Sequence, residues 1–437
     1  MTKRLDGSIG RWAFAAALLL AVALAAEPSG AGDFDAGVQA ARAGDYARAL
    51  DEWLSLARAG DVDAQYNVAT LYHGGLGVTQ DFAKALAWYG RAAARGFGPA
   101  EYMLGRMHEK GQGGPADSSQ AIEWYTVGAA HGDAWAQFAL GAAYDRGIGR
   151  IQDYGQAALW HRRAAEAGLA EAQYNLAALY EKGLGVPKDL VQAMQWYERA
   201  AEAGSHEAQN NLGYLYEQGI GVKQNQILAA QWYLRAAEGG FALAQTNLGI
   251  MYQYGQGVRQ DFPEALRWYR LAAARDDALA QNNLGLMYAN GLGVERDFVE
   301  AYKWFELAAR EGGESAELAT GSLSRLTEVM SQEEIAAARA RAQAFREAAA
   351  AAAQEAALES PAVPRGADEF GLPVLAAQRA LKQLGYYNGR VDGLAGPMTE
   401  SAIRTFQKDL GLASDGGLSE AFFGALAEAQ GRADGAD

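Results

Sequence analysis

Apolar and small residues recur along most of this chain at two nested spacings. Locally they fall three and four residues apart, as in Ala172, Leu176 and Tyr180, the signature of one helical face. The whole pattern then returns every 36 residues. Trp stands at 88, 124, 160, 196, 232, 268 and 304, and Ala at 64, 100, 136, 172, 208, 244, 280 and 316. Such a fixed period marks a repeat array. Seven units are expected over 61–312.

Each unit reads as a helical hairpin. Gly recurs from Gly75 to Gly291 and again two places on, from Gly77 to Gly293, where a first helix stops in the left-handed conformation. Asp81, Asp117, Asp153, Asp189, Asn225, Asp261 and Asp297 share one column, placed to cap a second helix. Pro263 falls in that helix's first turn, where a missing N–H does least harm. A further Gly column from Gly96 to Gly312, broken by Asp276, ends the second helix. The columns at 69 (Ala or Gly) and 93 (Ala) let helices approach closely, and the Trp column fills the space between hairpins. No hairpin buries its apolar face alone, whereas a stack of them makes a continuous core. Phe34–Gly60 reads as a degenerate leading hairpin, and residues 313–345, with the helix start Ser331-Gln332-Glu333-Glu334, as terminal capping helices.

The run A-Q-x-N-L-G-x-x-Y-x-x-G-x-G-V followed by D-x-x-x-A-x-x-W-Y-x-x-A-A, well shown at Asn211-Leu212-Gly213-Tyr214-Leu215-Tyr216, resembles the Sel1-like repeat, a relative of the tetratricopeptide repeat. Local departures are Gln112-Gly113-Gly114-Pro115 in one loop and His161 where other units have Tyr or Phe. The resemblance implies an all-α fold, a right-handed α/α superhelical solenoid that serves as a protein-interaction scaffold.

By analogy with tetratricopeptide arrays, columns 66, 70 and 73–74 face a concave groove. Column 66 presents Tyr66, Tyr102, Phe138 and Tyr174, then Asn210, Thr246 and Asn282. Column 67 carries Asn67, Asn175, Asn211, Asn247 and Asn283. Such a groove suits an extended peptide, with aromatic area on one part and asparagines pairing with peptide backbone on the other. The alternative is that the asparagines bond between stacked helices and the aromatics are packing.

Past the array the pattern changes. Ala348–Ala353 and then Ser360-Pro361-Ala362-Val363-Pro364-Arg365-Gly366 make an Ala-rich spacer and linker over 346–370. Residues 371–430 read as a small three-helix domain. Leu375, Gln378, Leu381 and Leu384 share one face, Thr399 is placed to cap a helix bearing Ile403, Phe406 and Leu410, and Phe422, Phe423 and Leu426 mark the last helix. The run Leu384-Gly385-Tyr386-Tyr387-x-Gly389-x-Val391-Asp392-Gly393-x-x-Gly396-Pro397-x-Thr399 resembles the three-helix peptidoglycan-binding domain, although Asp415-Gly416-Gly417-Leu418-Ser419 lacks the second G-P-x-T form. The resemblance implies binding of cell-wall glycan or stem peptide, with most of these residues setting the fold. Tyr386, Tyr387 and Arg390, on what reads as an exposed turn, are the candidate contacts.

Composition narrows the chemistry. The formal net charge of −15 argues against nucleic acid or an anionic membrane as partner. The chain has no Cys, so a disulfide framework, a thiolate metal site and a Cys nucleophile are excluded. Lys3, Arg4 and Arg11, an apolar run from Trp12 to Ala26 and Ala23-Leu24-Ala25 read as a secretory signal over 1–26, with an uncleaved anchor as the alternative. A periplasmic protein with no membrane segment in its mature form is therefore expected. His73, His108, His131, His161 and His206 fall in five different columns, so no recurring metal pair forms, and no G-x-S-x-G run occurs. No cofactor, metal or catalytic residue is expected. Two functions fit: a wall-attached scaffold that recruits a protein, and a periplasmic regulator of a sensor kinase or a polarity or division system.

Overall fold

The computed structural model describes residues 33–310 and 312–359 and, in the C-terminal segment, residues 377, 378, 380–382, 384–387, 397–410, 412, 422, 425, 426 and 429. All regular structure among them is α-helical. The expected leader over 1–26, the linker residues 360–370 and Arg390 lie outside the described residues.

The Asx column sets the local structure. Asp81 Oδ1 accepts from the Lys84 N–H at 2.9 Å, and Asp153, Asp189, Asn225, Asp261 and Asp297 cap their helices in the same way. The backbone N–H of each cap residue returns to the first helix of its own hairpin, as from Asp261 to the Tyr252 carbonyl at 2.9 Å. Each loop is thus closed at both ends. Gly255, with φ of 70°, ends a first helix in the left-handed region. Gly257 two places on has φ of 68° and sits so close to the Gln226 carbonyl that a Cβ would collide with it. Asp276, in the column of second-helix glycines, has a φ of 59°.

The helices run α1 (Phe34–Arg42), α2 (Tyr46–Ala59), α3 (Val62–Gly74), α4 (Phe82–Ala93), α5 (Gly98–Lys110), α6 (Ser118–Ala130), α7 (Ala134–Arg146), α8 (Tyr154–Glu166), α9 (Ala170–Lys182), α10 (Leu190–Glu202), α11 (His206–Gln218), α12 (Gln226–Glu238), α13 (Ala242–Tyr254), α14 (Phe262–Ala273), α15 (Ala278–Asn290), α16 (Phe298–Ala308), α17 (Gly313–Thr327), α18 (Gln332–Glu359) and α19 (Pro397–Asp409). Within each unit described below, the repeat helices pack mainly on their immediate neighbours in sequence, the arrangement of an α/α solenoid.

Contacts divide the molecule into two compact units, residues up to 172 with those after 361, and residues 173–361. In the first, α1–α8 enclose Trp53, Leu71, Trp88, Tyr89 and Met107. Trp53 Nε1 donates to the Phe34 carbonyl at 3.0 Å, fastening α1 to α2. In the second, Tyr197, Tyr233, Tyr269 and Phe305 are buried on the second helices of their hairpins. The small column explains how they fit: a Cβ at Gly213, Gly249 or Gly285 would meet the ring of Tyr233, Tyr269 or Phe305 at 2.6 Å. The Trp column is half-buried to buried, with a cation over most of its rings, as for Arg199 at 4.5 Å from the Trp196 centroid and Lys303 at 4.1 Å from Trp304.

Helix α18 starts in a reciprocal capping box, Glu334 N–H to Ser331 Oγ at 3.2 Å and Ser331 N–H to Glu334 Oε2 at 2.8 Å. It runs without a break through the alanine run to Glu359. In the C-terminal segment Ala377, Leu381, Tyr387, Ile403, Phe406, Phe422 and Leu426 form a separate core. Thr399 lies inside α19 rather than at its cap; its hydroxyl accepts from buried Gln378 Nε2 at 2.8 Å.

Candidate functional site

A glutamine column ties each hairpin to the one before. Gln209 Nε2 donates to the Ala201 carbonyl at 3.0 Å, and Gln65, Gln137, Gln245 and Gln281 repeat the bond to Ala57, Ala129, Ala237 and Ala273. Glu101 occupies the same column. A carboxylate has no N–H for a carbonyl, and fully buried Glu101 instead takes His131 Nδ1 at 2.8 Å.

A second tie uses the tyrosines. Tyr197 donates to Glu181 at 2.7 Å and Tyr233 to Glu217 at 2.8 Å, each within its own hairpin, while Tyr269 donates to Gln253 at 2.8 Å. Burial, and after it the adjacent carboxylate, push the Tyr197 and Tyr233 hydroxyls well above the ordinary phenol range, so both stay neutral donors.

The asparagine column meets this network. Asn211 lies beside the Tyr197 hydroxyl and Asn283 beside that of Tyr269, each on the hairpin that follows. Asn247 Nδ2 donates to Asn210 Oδ1 at 3.0 Å, between stacked first helices. The side chains of Asn175, Asn211, Asn247 and Asn283 remain half-exposed on the outer face of α9, α11, α13 and α15.

In the unit of residues 173–361 that face is broader than one column. Tyr214 is 47% exposed and Leu286 36%, with Ile250 half-buried in the same column. Leu243 and Tyr254, the latter 64% exposed, lie one turn either side of Asn247 and Ile250 on α13. Positions 243, 247, 250 and 254 follow the 3.6-residue period and form one stripe. Columns 70 and 74 are thus exposed to half-exposed here. Column 66 does not: Asn210, Thr246 and Asn282 are buried, with Thr246 Oγ1 on Asp277 Oδ1 at 3.0 Å.

In the other unit the correction is larger. Tyr66 is buried among Tyr89 and Phe97, each 5.5 Å away between ring centroids, and burial raises its hydroxyl well above the normal range. Thr70 is buried on the Tyr89 hydroxyl at 3.0 Å, and His73 is buried as well. The first hairpin thus closes the positions expected to line a groove, because Tyr89 on its second helix and Phe97 at its end cover them. Tyr102 and Phe138 are half-exposed and flank Trp135, which stacks on Tyr102 at 6.1 Å and meets Phe138 edge-on at 6.0 Å. Trp135 was not anticipated. Its signal is a tryptophan outside the Trp column, where the other units hold Asp63, Pro99, Glu171, Glu207, Leu243 and Leu279. Tyr174, half-buried, packs on Tyr197 at 5.6 Å.

At the C-terminal candidate site the expected exposed turn is partly closed. Tyr387 is buried, and its hydroxyl accepts from Gln378 Nε2 at 3.3 Å. The turn reading failed for it because the aromatic belongs to the core. Tyr386 is half-buried, edge-on to Phe406 at 5.1 Å, with its hydroxyl on Asp409; desolvation, and then Asp409, raise its pKa.

No group of three or more His, Asp or Glu side chains is placed to hold a metal ion among the described residues, and no helix there is long and apolar enough to cross a membrane.

Comparison with known proteins agrees with this architecture. The Sel1 repeat family model matches residues 62–97, 98–133, 136–169, 170–205, 206–241, 242–277 and 278–313, and a peptidoglycan binding domain model matches residues 371–426. Among solved structures, c5321, a protective antigen of uropathogenic Escherichia coli strains displaying an SLR fold, is 28% identical, with a TM-score of 0.58 over 89% of this chain and 97% of that one. A Sel1 repeat protein from Oxalobacter formigenes is 35% identical, with a TM-score of 0.54 over 66% of this chain and 86% of that one. No curated protein matches the chain.

Proposed function

The chain belongs to the Sel1 repeat family, and from that premise we propose that it is a non-catalytic, exported scaffold with two binding ends. The repeats hold a protein or peptide partner, and the C-terminal domain holds peptidoglycan in the periplasm, with Tyr386 and Arg390 as its contacts. The observation that supports this most is the division of labour on the first helices. The buried Gln side chains are committed to joining hairpins, while Asn175, Asn211, Asn247 and Asn283 with Tyr214, Ile250, Leu286 and Tyr254 leave a mixed amide and apolar stripe open. Aromatic and aliphatic side chains supply contact area, and asparagine carbonyls accept from the N–H groups of an extended segment. On the other unit Tyr102, Trp135 and Phe138 offer an aromatic patch of the same use.

A photo-crosslinking residue at Tyr214 tests this reading in cells. The expected outcome is one discrete adduct that is lost when Asn247 and Ile250 are both replaced by charged residues. The same adduct from a probe at Arg162, on a second helix, or no adduct at Tyr214, contradicts it.

A further inference from the structure

A cleft of about 350 Å³ opens in the unit of residues 173–361, between the ends of α12 and α14 and the side of α13. Its wall includes Glu238, Gly240, Gln245, Arg267, Trp268 and Arg275. In four units the cation on the tryptophan comes from three residues later, as Arg199 over Trp196 and Arg235 over Trp232. Here Leu271 holds that place, and the preceding residue, Arg267, covers Trp268 at 4.2 Å, as Lys303 covers Trp304. Gly239-Gly240 and Arg275 then occupy the ends of the two second helices, and Arg275 reaches across Gly240, whose Cβ position lies 3.2 Å from Arg275 Nη2.

The charges are unbalanced. Arg267 pairs with Glu264 at 3.1 Å. Arg275 has one acceptor, the Leu271 carbonyl at 3.2 Å, and no acidic partner among the described residues, although a guanidinium carries five N–H donors. Other arginines also lack an acidic partner, Arg199 and Arg235 among them, but those lie over tryptophan rings, whereas Arg275 lines the cleft. Trp268 is 3% exposed, and its Nε1–H has no acceptor. Trp304 is also without one, but Lys303 and Phe345 close over its ring, whereas Trp268 borders open space. Gln245 Oε1 is a weaker indicator, since Gln65 and Gln281 share its lack of a donor.

We propose that this cleft binds an α-carboxylate that carries an adjacent N–H, the chemistry shared by an acylated amino acid and the C-terminal residue of a peptide. The carboxylate oxygens accept from Arg275 and Arg267 in the bidentate manner that guanidinium geometry favours. Glu238 provides the acceptor for the N–H and selects against a bare anion. The indole supplies an apolar wall for the side chain.

Calorimetric titration of the full chain with N-acetylalanine and with N-acetylalanine methylamide tests the site. The acid is expected to bind at least tenfold tighter than the amide. Arg275→Gln should weaken the acid at least tenfold with an unchanged melting temperature, since this exposed side chain makes one bond to its own helix. Arg235→Gln, on an equivalent tryptophan elsewhere, should leave binding as it was. An N-acetylated trialanine acid that binds tighter than N-acetylalanine identifies a peptide terminus as the ligand, and equal affinity identifies the single amino acid. Equal binding of acid and amide, no binding of either, or no effect of Arg275→Gln overturns the assignment.

Discussion

His161 stands in the column where the other hairpins place Tyr or Phe, and it is fully buried with both ring nitrogens unpartnered. Burial, and then Arg146, lower its pKa from 6.5 to about 4. A base with a depressed folded pKa takes up its proton in the unfolded chain first. Its contribution to stability is therefore full above about 6.5 and is lost as pH falls toward 4. Denaturant titrations should show stability falling by up to about 1.4 kcal/mol per pH unit across that window from this residue. His161→Phe should remove that part of the slope while keeping the fold; an unchanged slope would count against the buried neutral imidazole. Glu101 is the other departure from its column. There the loss of a Gln amide is compensated by His131, a pairing that the sequence shows only as two unrelated substitutions.

At the scale of the helix, close approach is set by the small column. Gly249 lies against the Tyr269 ring, and the equivalent positions Ala69 and Ala177 are fully buried in their own hairpins. Gly249→Ala should therefore cost about 1 kcal/mol, since the Tyr269 ring must shift to admit the methyl, and Gly249→Leu about 3 kcal/mol by forcing the helices apart. Chemical denaturation checks both, and equal stability of the two variants would show that the contact is loose. This packing, the Asx caps and the glycine stops were legible because each follows from local chemistry repeated seven times. The open face was legible only in part. Columns 66 and 70 are one turn apart, and spacing alone does not say which of them becomes covered. The structure buries Tyr66 and Asn210 and leaves Tyr214 and Ile250 open to a greater degree. Likewise an aromatic pair after Gly385 reads as a surface turn, yet Tyr387 is drawn into the core by Gln378 and the apolar side chains around it. Long-range packing decides such positions, and a single sequence carries no direct record of it.

For the whole molecule, the account rests on two kinds of surface carried by one chain: repeats that leave a stripe of their first helices open, and a small C-terminal domain matched over residues 371–426 by a peptidoglycan binding family. In the repeats' buried polar network the glutamines tie hairpin to hairpin and the tyrosines close their own hairpins. The C-terminal domain has a core of its own, so its removal should leave the repeats folded. Sedimentation with purified sacculi is the most direct measurement. The account predicts that the chain pellets with the sacculi and that a version lacking residues 371–437, with its helical circular dichroism otherwise retained, stays in the supernatant. Equal pelleting of both forms, or pelleting of neither, contradicts it.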